Sequence, residues 1–180
     1  MATLQWQFTA SLDGYMAGPG GDMSWLTPYL GPNPVIDEVI QQTRALLVGN
    51  RTFRGDDPHR NTPQEGQPYG GGWVGPQFVL THNPPAHPWP EVTFVTDLFS
   101  GVAAAKAAAA DGTVGVLGAE VGRQCLEAGV LDEILVSFAP VLLGDGLRIL
   151  KVAGGTNVKL ERIAQVEAPC ATTLRLRVLR

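Results

Sequence analysis

Polar and apolar residues alternate from Thr3 to Thr9, with Leu4, Trp6 and Phe8 on one face, and this predicts a strand. Pro34 to Thr43 reads as a helix with proline in its first turn and Val35, Val39, Ile36 and Ile40 turned inward. Ala45 to Val48 is a short buried strand, and Thr52 begins and caps a short helix. Gln77–Leu80 and Val92–Val95 are further strands, and Leu98–Ala110 is an alanine-rich helix. The apolar strand Val114–Leu117 runs through Gly118 into a helix over Ala119–Ala128, which Gly129 closes. Glu133–Ala139 is a strand, and Val158–Gln165 with Thr172–Leu179 form an antiparallel pair. Two long segments, Ala10–Asn33 and Asp56–Pro76, read as loops, and loops of that length in a compact domain usually serve function.

Strands and helices alternate over the first two-thirds, which implies an α/β fold: a mostly parallel central sheet flanked by helices. The strands of the last third add antiparallel edges. A length of 180 residues suits one domain over residues 1–180. Hydrophobic residues at 44% against 17% charged fit a well-buried core rather than a disordered chain. A net charge of -4 gives no general attraction to nucleic acid or anionic membrane. Cys125 and Cys170 lie far apart without metal-type spacing and read as free thiols. Residues Met1–Ala10 lack the pattern of a signal peptide, and no apolar run approaches a membrane span. A soluble, cytoplasmic protein is expected.

Two strand-to-helix junctions carry candidate chemistry. At Leu46-Leu-Val-Gly49-Asn-Arg51-Thr52, free N–H groups at a helix start favour an anion and Arg51 stands ready to pair with a phosphate. An ordinary turn with a surface arginine fits the same residues. At Val116-Leu-Gly118-Ala119-Glu120-Val121-Gly122, small residues let a pyrophosphate approach the backbone, and tight helix–sheet packing fits equally. Ser11-Leu-Asp13-Gly14 lies beyond the first strand, at the same sheet edge; Asp13 either forms a turn or faces a ligand. Trp25 and Trp73, both in long loops, either pin the loops to the core or cover a ligand. The histidines show no metal-ligand spacing, so no metal is expected, and Asp56-Asp57 reads as a solvated turn.

Taken in order, Ser11-Leu-Asp-Gly14, Leu47-Val-Gly49-Asn-Arg-Thr52-Phe, Phe78-Val-Leu-Thr81-His82, Val116-Leu-Gly118-Ala119, Leu126–Glu133 and Pro140–Gly146 resemble the reductase domain of bacterial bifunctional riboflavin-biosynthesis deaminase-reductases and its free-standing relatives. That domain belongs to the dihydrofolate-reductase-like superfamily, and the matching segments span nearly the whole chain. The resemblance implies an NADPH-dependent oxidoreductase acting on a small heterocyclic, carbonyl or imine substrate, pyrimidine- or pterin-like. It implies that Gly49, Arg51 and Thr52 hold the adenosine phosphate, opposite Thr81 and His82. Gly118, Ala119, Glu120, Val121 and Gly122 would lie along the pyrophosphate, with Ala10 and Ala17 near the nicotinamide. Asp13, Trp25 and the helix bearing Asp37 would face the substrate, with Asp13 and Asp37 the candidate proton donors; Trp73, from its place in a long loop, is a further candidate substrate contact.

Two departures concern cofactor choice. Asn50 and Asn83 stand where relatives carry basic residues, which removes charge from the place of a 2′-phosphate and makes NADH the alternative cofactor. A non-catalytic nicotinamide-nucleotide-binding protein is the alternative function. The resemblance also implies a homodimer joined through its C-terminal strands, whose residues Ile134, Val136 and Phe138 share an apolar face.

Overall fold

The computed structural model describes residues 1–87 and 89–180. Among the described residues ten strands alternate with four α-helices: β1 Thr3–Ser11, β2 Tyr15–Ala17, α1 Pro34–Gln42, β3 Thr43–Gly49, α2 Asn50–Arg54, β4 Gln77–Leu80, β5 Val92–Val95, α3 Leu98–Ala109, β6 Thr113–Leu117, α4 Ala119–Glu127, β7 Glu133–Ala139, β8 Leu147–Arg148, β9 Leu160–Ala168 and β10 Ala171–Val178. Eight of the strands form one sheet in the order β5-β4-β3-β6-β1-β7-β10-β9. From β5 to β7 every pairing is parallel, and β10 and β9 continue the sheet antiparallel. The expected α/β architecture is therefore present.

The period of two along β3 sorts its side chains between two cores. Ala45 and Leu47 join Leu4, Trp6, Val114 and Val116 beneath α3 and α4. Leu46 and Val48 pack on the opposite face with Val79, Trp73 and Ile40 of α1. Asn33 caps α1 by accepting from the Val35 N–H at 3.0 Å, and Asp97 caps α3 by accepting from the Ser100 N–H at 2.7 Å. Gly129, at φ 68°, takes the left-handed turn that ends α4.

Three expectations change. The segment Ala10–Asn33 is not all loop, because Tyr15–Ala17 pairs antiparallel with Leu147–Arg148. Thr52 does not cap α2: the helix begins at Asn50, and Gly49 precedes it without a side-chain cap. Asp56 and Asp57 are not a solvated turn. Asp56 accepts the Met23 N–H at 3.0 Å and pairs with Arg60, while Asp57 accepts the N–H groups of His59 and Gly66. Together they tie the loop after α2 to itself and to the segment after β2.

The apolar faces of β7 are interior. Ile134 and Val136 are buried in the main core, because β1 and β10 flank the strand. The exposed C-terminal surface is β9, which among the described residues pairs with β10 alone and carries exposed Leu160, Ile163 and Val166.

Candidate functional site

Strands β3 and β6 lie side by side, with Val48 level with Leu117, and both turn directly into helices. Neither α2 nor α4 has a side-chain cap at its start, so the first-turn N–H groups remain available to a ligand. Gly118 sits at φ 113° and ψ 146°, a backbone region reserved for glycine, and a Cβ there would meet Thr52 Oγ1 at 2.5 Å. Gly49 packs against Val121, 3.5 Å from where its own Cβ would stand. These close approaches draw the two helix starts toward one point beyond the carboxyl ends of the strands, where open α/β sheets bind ligands.

A cleft of about 1220 Å³ opens there. One wall is α2, where exposed Arg51 forms no ion pair among the described residues and the Arg54 Nε donates to Asn50 at 3.1 Å. Gly118 and Ala119 form the next wall, and Ala17 with Gly18 borders it from β2. At the inner end the lining carries Gln7 and Thr9 of β1, Ser137 of β7, and His59 and Tyr69 of the loop before β4. Thr9, Tyr69 and Ser137 also border a second hollow of about 350 Å³ against α1. Gln7 and Ser137 are buried, and the Tyr69 hydroxyl donates to Gln7 Oε1.

Of the residues expected to hold a nucleotide, Ala17, Arg51, Thr52, Gly118 and Ala119 share this cleft. Gly49 and Val121 lie just beneath, in contact with each other. The others are elsewhere. Gly122 serves packing: a Cβ there would stand 2.1 Å from the Trp6 indole. Ala10 is fully buried in the main core. Thr81 is buried with its hydroxyl accepting from the Asn83 N–H at 3.2 Å, and His82 is exposed away from the cleft. Glu120 is exposed and pairs with Arg123 at 2.5 Å, which holds its carboxyl below the usual range.

The substrate-side expectations change more. The Trp73 indole is buried with Leu46, Val48 and Val79, and its N–H donates to the Thr43 carbonyl at 2.9 Å. It pins the loop before β4 to the core and borders neither hollow. The Trp25 ring is tilted against Tyr29 with centroids 6.5 Å apart, and Trp25 borders neither hollow. Asp37 is exposed on α1 and borders neither hollow, whereas its neighbour Ile36 borders both. Asp13 accepts from Ser11 at 2.6 Å, the Leu143 N–H at 3.1 Å and the Gly144 N–H at 2.7 Å. These donors, the Ser11 hydroxyl first, hold its carboxyl down at about 2 from an ordinary 3.8. Asp13 is therefore ionised at neutral pH and anchors the loop after β7, which is not the state of a proton donor.

Gln7, Thr9, Tyr69 and Ser137 were not among the expected residues. Gln5 and Gln7 alternate with Leu4, Trp6 and Phe8, and a polar stripe of that kind normally marks a solvent face. Here the stripe is buried beneath Tyr69, a contact some 60 residues away in sequence that local periodicity does not carry.

The family described as RibD C-terminal domain matches residues 2–171. A search of curated proteins gave no match. Among solved structures, the chain is similar to a putative riboflavin biosynthesis protein from a Shewanella species, at 21% identity and TM-score 0.74 over all of both chains. It is similar to a diaminohydroxyphosphoribosylaminopyrimidine deaminase/5-amino-6-(5-phosphoribosylamino)uracil reductase from Thermotoga maritima at 19% identity and TM-score 0.68, with 99% of this chain covering 57% of that one. A dihydrofolate reductase from Enterococcus faecalis, complexed with NADP(H), shares the fold at TM-score 0.65 and 15% identity, over 98% and 95% of the two chains. No helix among the described residues is long and apolar enough to cross a membrane. The chain has the dihydrofolate-reductase-like fold and belongs to the RibD C-terminal domain family.

Proposed function

We propose that this chain is an NADPH-dependent reductase that delivers a hydride to the carbon of a C=N or C=O bond in a small heterocycle, pyrimidine- or pterin-like. The observation that carries the proposal is the convergence of two uncapped helix starts in one cleft, where Gly118 lets the start of α4 close on Thr52 of α2. Such a place suits the diphosphate of a dinucleotide, because aligned N–H groups and the helix dipole favour anionic oxygens. Membership of the family and the NADP(H)-bound neighbour support the same reading.

The chain's own residues divide the work. The first turns of α2 and α4 hold the diphosphate, with Thr52 and Gly118 setting how closely it approaches. Arg51 meets the 2′-phosphate; Asn50 beside it is uncharged and holds the Arg54 Nε, so the NADPH preference rests mainly on Arg51. Ala17 borders the cleft near its inner end, where the small side chain leaves space for a flat ring. Thr9, Tyr69 and Ser137 hold the substrate by neutral hydrogen bonds, with Gln7 fixing Tyr69 from behind. When bound, the dinucleotide supplies the hydride. The proton that completes the reduction goes to the substrate nitrogen or oxygen and comes from water entering the open cleft, whose lining carries His59 and Asp145 but neither Asp13 nor Asp37.

The protein acts in the cytoplasm as a homodimer whose contact includes the exposed edge strand β9. Loss of absorbance of NADPH in a screen of pyrimidines, pterins and small carbonyl compounds tests the activity. Binding of NADPH without oxidation by any of them would instead favour a non-catalytic nucleotide-binding protein.

A further inference from the structure

Beneath the inner end of the cleft runs a chain of buried hydrogen bonds whose direction is fixed from one end. Glu133 pairs with the Arg175 Nε at 2.8 Å, with its own side chain 12% exposed. An ionised carboxylate only accepts, so the amide of Gln5 must turn its NH2 to Glu133, at 2.9 Å. The Gln5 carbonyl then faces inward and accepts from the Gln7 NH2, also at 2.9 Å. The second Gln7 N–H points to the Thr43 hydroxyl at 3.5 Å, and that hydroxyl donates its own proton to the Val39 carbonyl at 2.8 Å. Both Gln7 protons are thus committed, and its carbonyl accepts from the Tyr69 hydroxyl. Reversing any member would set a carbonyl against a carboxylate or another carbonyl, at a cost that burial raises.

Two backbone features keep this arrangement in place. Gly115 lies where a Cβ would stand 2.8 Å from Gln7 Oε1 and 3.0 Å from the Tyr69 hydroxyl, so the chain exists because β6 has no side chain there. Tyr69 is held at φ 52°, a left-handed conformation uncommon for an aromatic residue. A strained residue whose side chain borders two hollows points to function at that side chain.

We infer that Tyr69 is a specificity residue presented as a hydrogen-bond acceptor: its proton is spent on Gln7, and its remaining lone pairs meet an N–H donor of the substrate ring. Glu133 and Arg175 are positioning residues that act through the two glutamines. The ligand class is a planar heterocycle with ring N–H groups, and rings alkylated at those nitrogens are discriminated against. The choice of substrate ring rests on the reductase reading, whereas the polarity of Tyr69 does not.

The test uses uracil and 1,3-dimethyluracil as probes, titrated by calorimetry without cofactor. The parent protein binds uracil more tightly than the dimethyl compound. Tyr69→Phe narrows that preference by roughly fivefold, the worth of one neutral hydrogen bond, and leaves dimethyluracil unchanged. Glu133→Gln supplies a group that both donates and accepts, so the chain loses its fixed direction and the preference narrows again. Glu133→Asp, still an obligate acceptor, restores it. A merely structural role for Glu133 would weaken both probes alike and lower the melting temperature. The inference is overturned if the parent shows no preference for uracil, or if folded Tyr69→Phe keeps it. A parent that prefers uracil yet fails to bind NADPH in a parallel titration removes the reductase reading and leaves the role of Tyr69 standing.

Discussion

Asp13 shows how one carboxylate holds the rim of the site. Its folded carboxyl titrates near 2, below the ordinary 3.8, because the Ser11 hydroxyl and the backbone of Gly144 and Leu143 donate to the ionised form. The unfolded chain therefore binds the proton first as pH falls. The stabilisation is full above about pH 4 and is lost progressively toward pH 2. Asp13→Asn is expected to flatten that acid limb in a series of thermal melts, and an unchanged limb would remove the anchor role. Trp73 makes a second residue-scale point. Trp73→Phe leaves the buried Thr43 carbonyl without its donor and is expected to cost about 1–3 kcal/mol in denaturant melts while NADPH binding persists. A stable variant with impaired binding would restore Trp73 to the ligand.

Asp13 and Trp73 were visible in the sequence as residues, but their roles were not. An Asp before Gly14 and a tryptophan in a glycine-rich loop each fit a ligand or a structural anchor, and the partners that decide between them, Leu143, Gly144 and Thr43, lie far away in sequence. Gln7 and Tyr69 were hidden for the opposite reason: neither belongs to a local motif.

At the scale of elements, the junction from β6 to α4 combines two glycines with different duties. Gly118 is required by its backbone angle and by Thr52, so Gly118→Val lowers stability whatever the ligand, and binding has to be tested elsewhere in the cleft. Gly122 lets α4 rest on Trp6. Gly122→Ala should cost about 1–3 kcal/mol by overpacking, and combining it with Trp6→Phe should cost less than the sum of the two, because the smaller ring makes room. Additive costs in chemical denaturation would mean that the contact is not what fixes the glycine.

The strands between Gln77 and Ala139 were legible to within a residue, because short apolar runs bounded by Gly, Pro and polar residues leave little choice of register. The short pair of β2 and β8 was not, since its strands lie far apart in the chain and have two or three residues each.

For the whole molecule, the exposed edge of β9 sets the expectation about assembly. Its N–H and C=O groups on the outer side have no neighbouring strand among the described residues, and Leu160, Ile163 and Val166 are exposed along it. Light scattering at micromolar concentration is expected to give twice the 19.1 kDa chain mass, and a monomeric mass would contradict the dimer.

The parallel order of the sheet was readable from the alternation of strand and helix, and so was the edge at which the cleft opens. Which residues close the inner end of the cleft was not, because Gln7, Tyr69 and Ser137 meet only through tertiary packing.

The central claim is that the cleft between the starts of α2 and α4 holds a nicotinamide dinucleotide, and calorimetric titration with NADPH and NADH tests it most directly. One NADPH should bind per chain, more tightly than NADH. Arg51→Gln should weaken NADPH by about fivefold, ~1 kcal/mol for an exposed charge pair, while leaving NADH unchanged. Absence of saturable binding by either cofactor up to about 1 mM, where the binding free energy is only about 4 kcal/mol, would contradict the account.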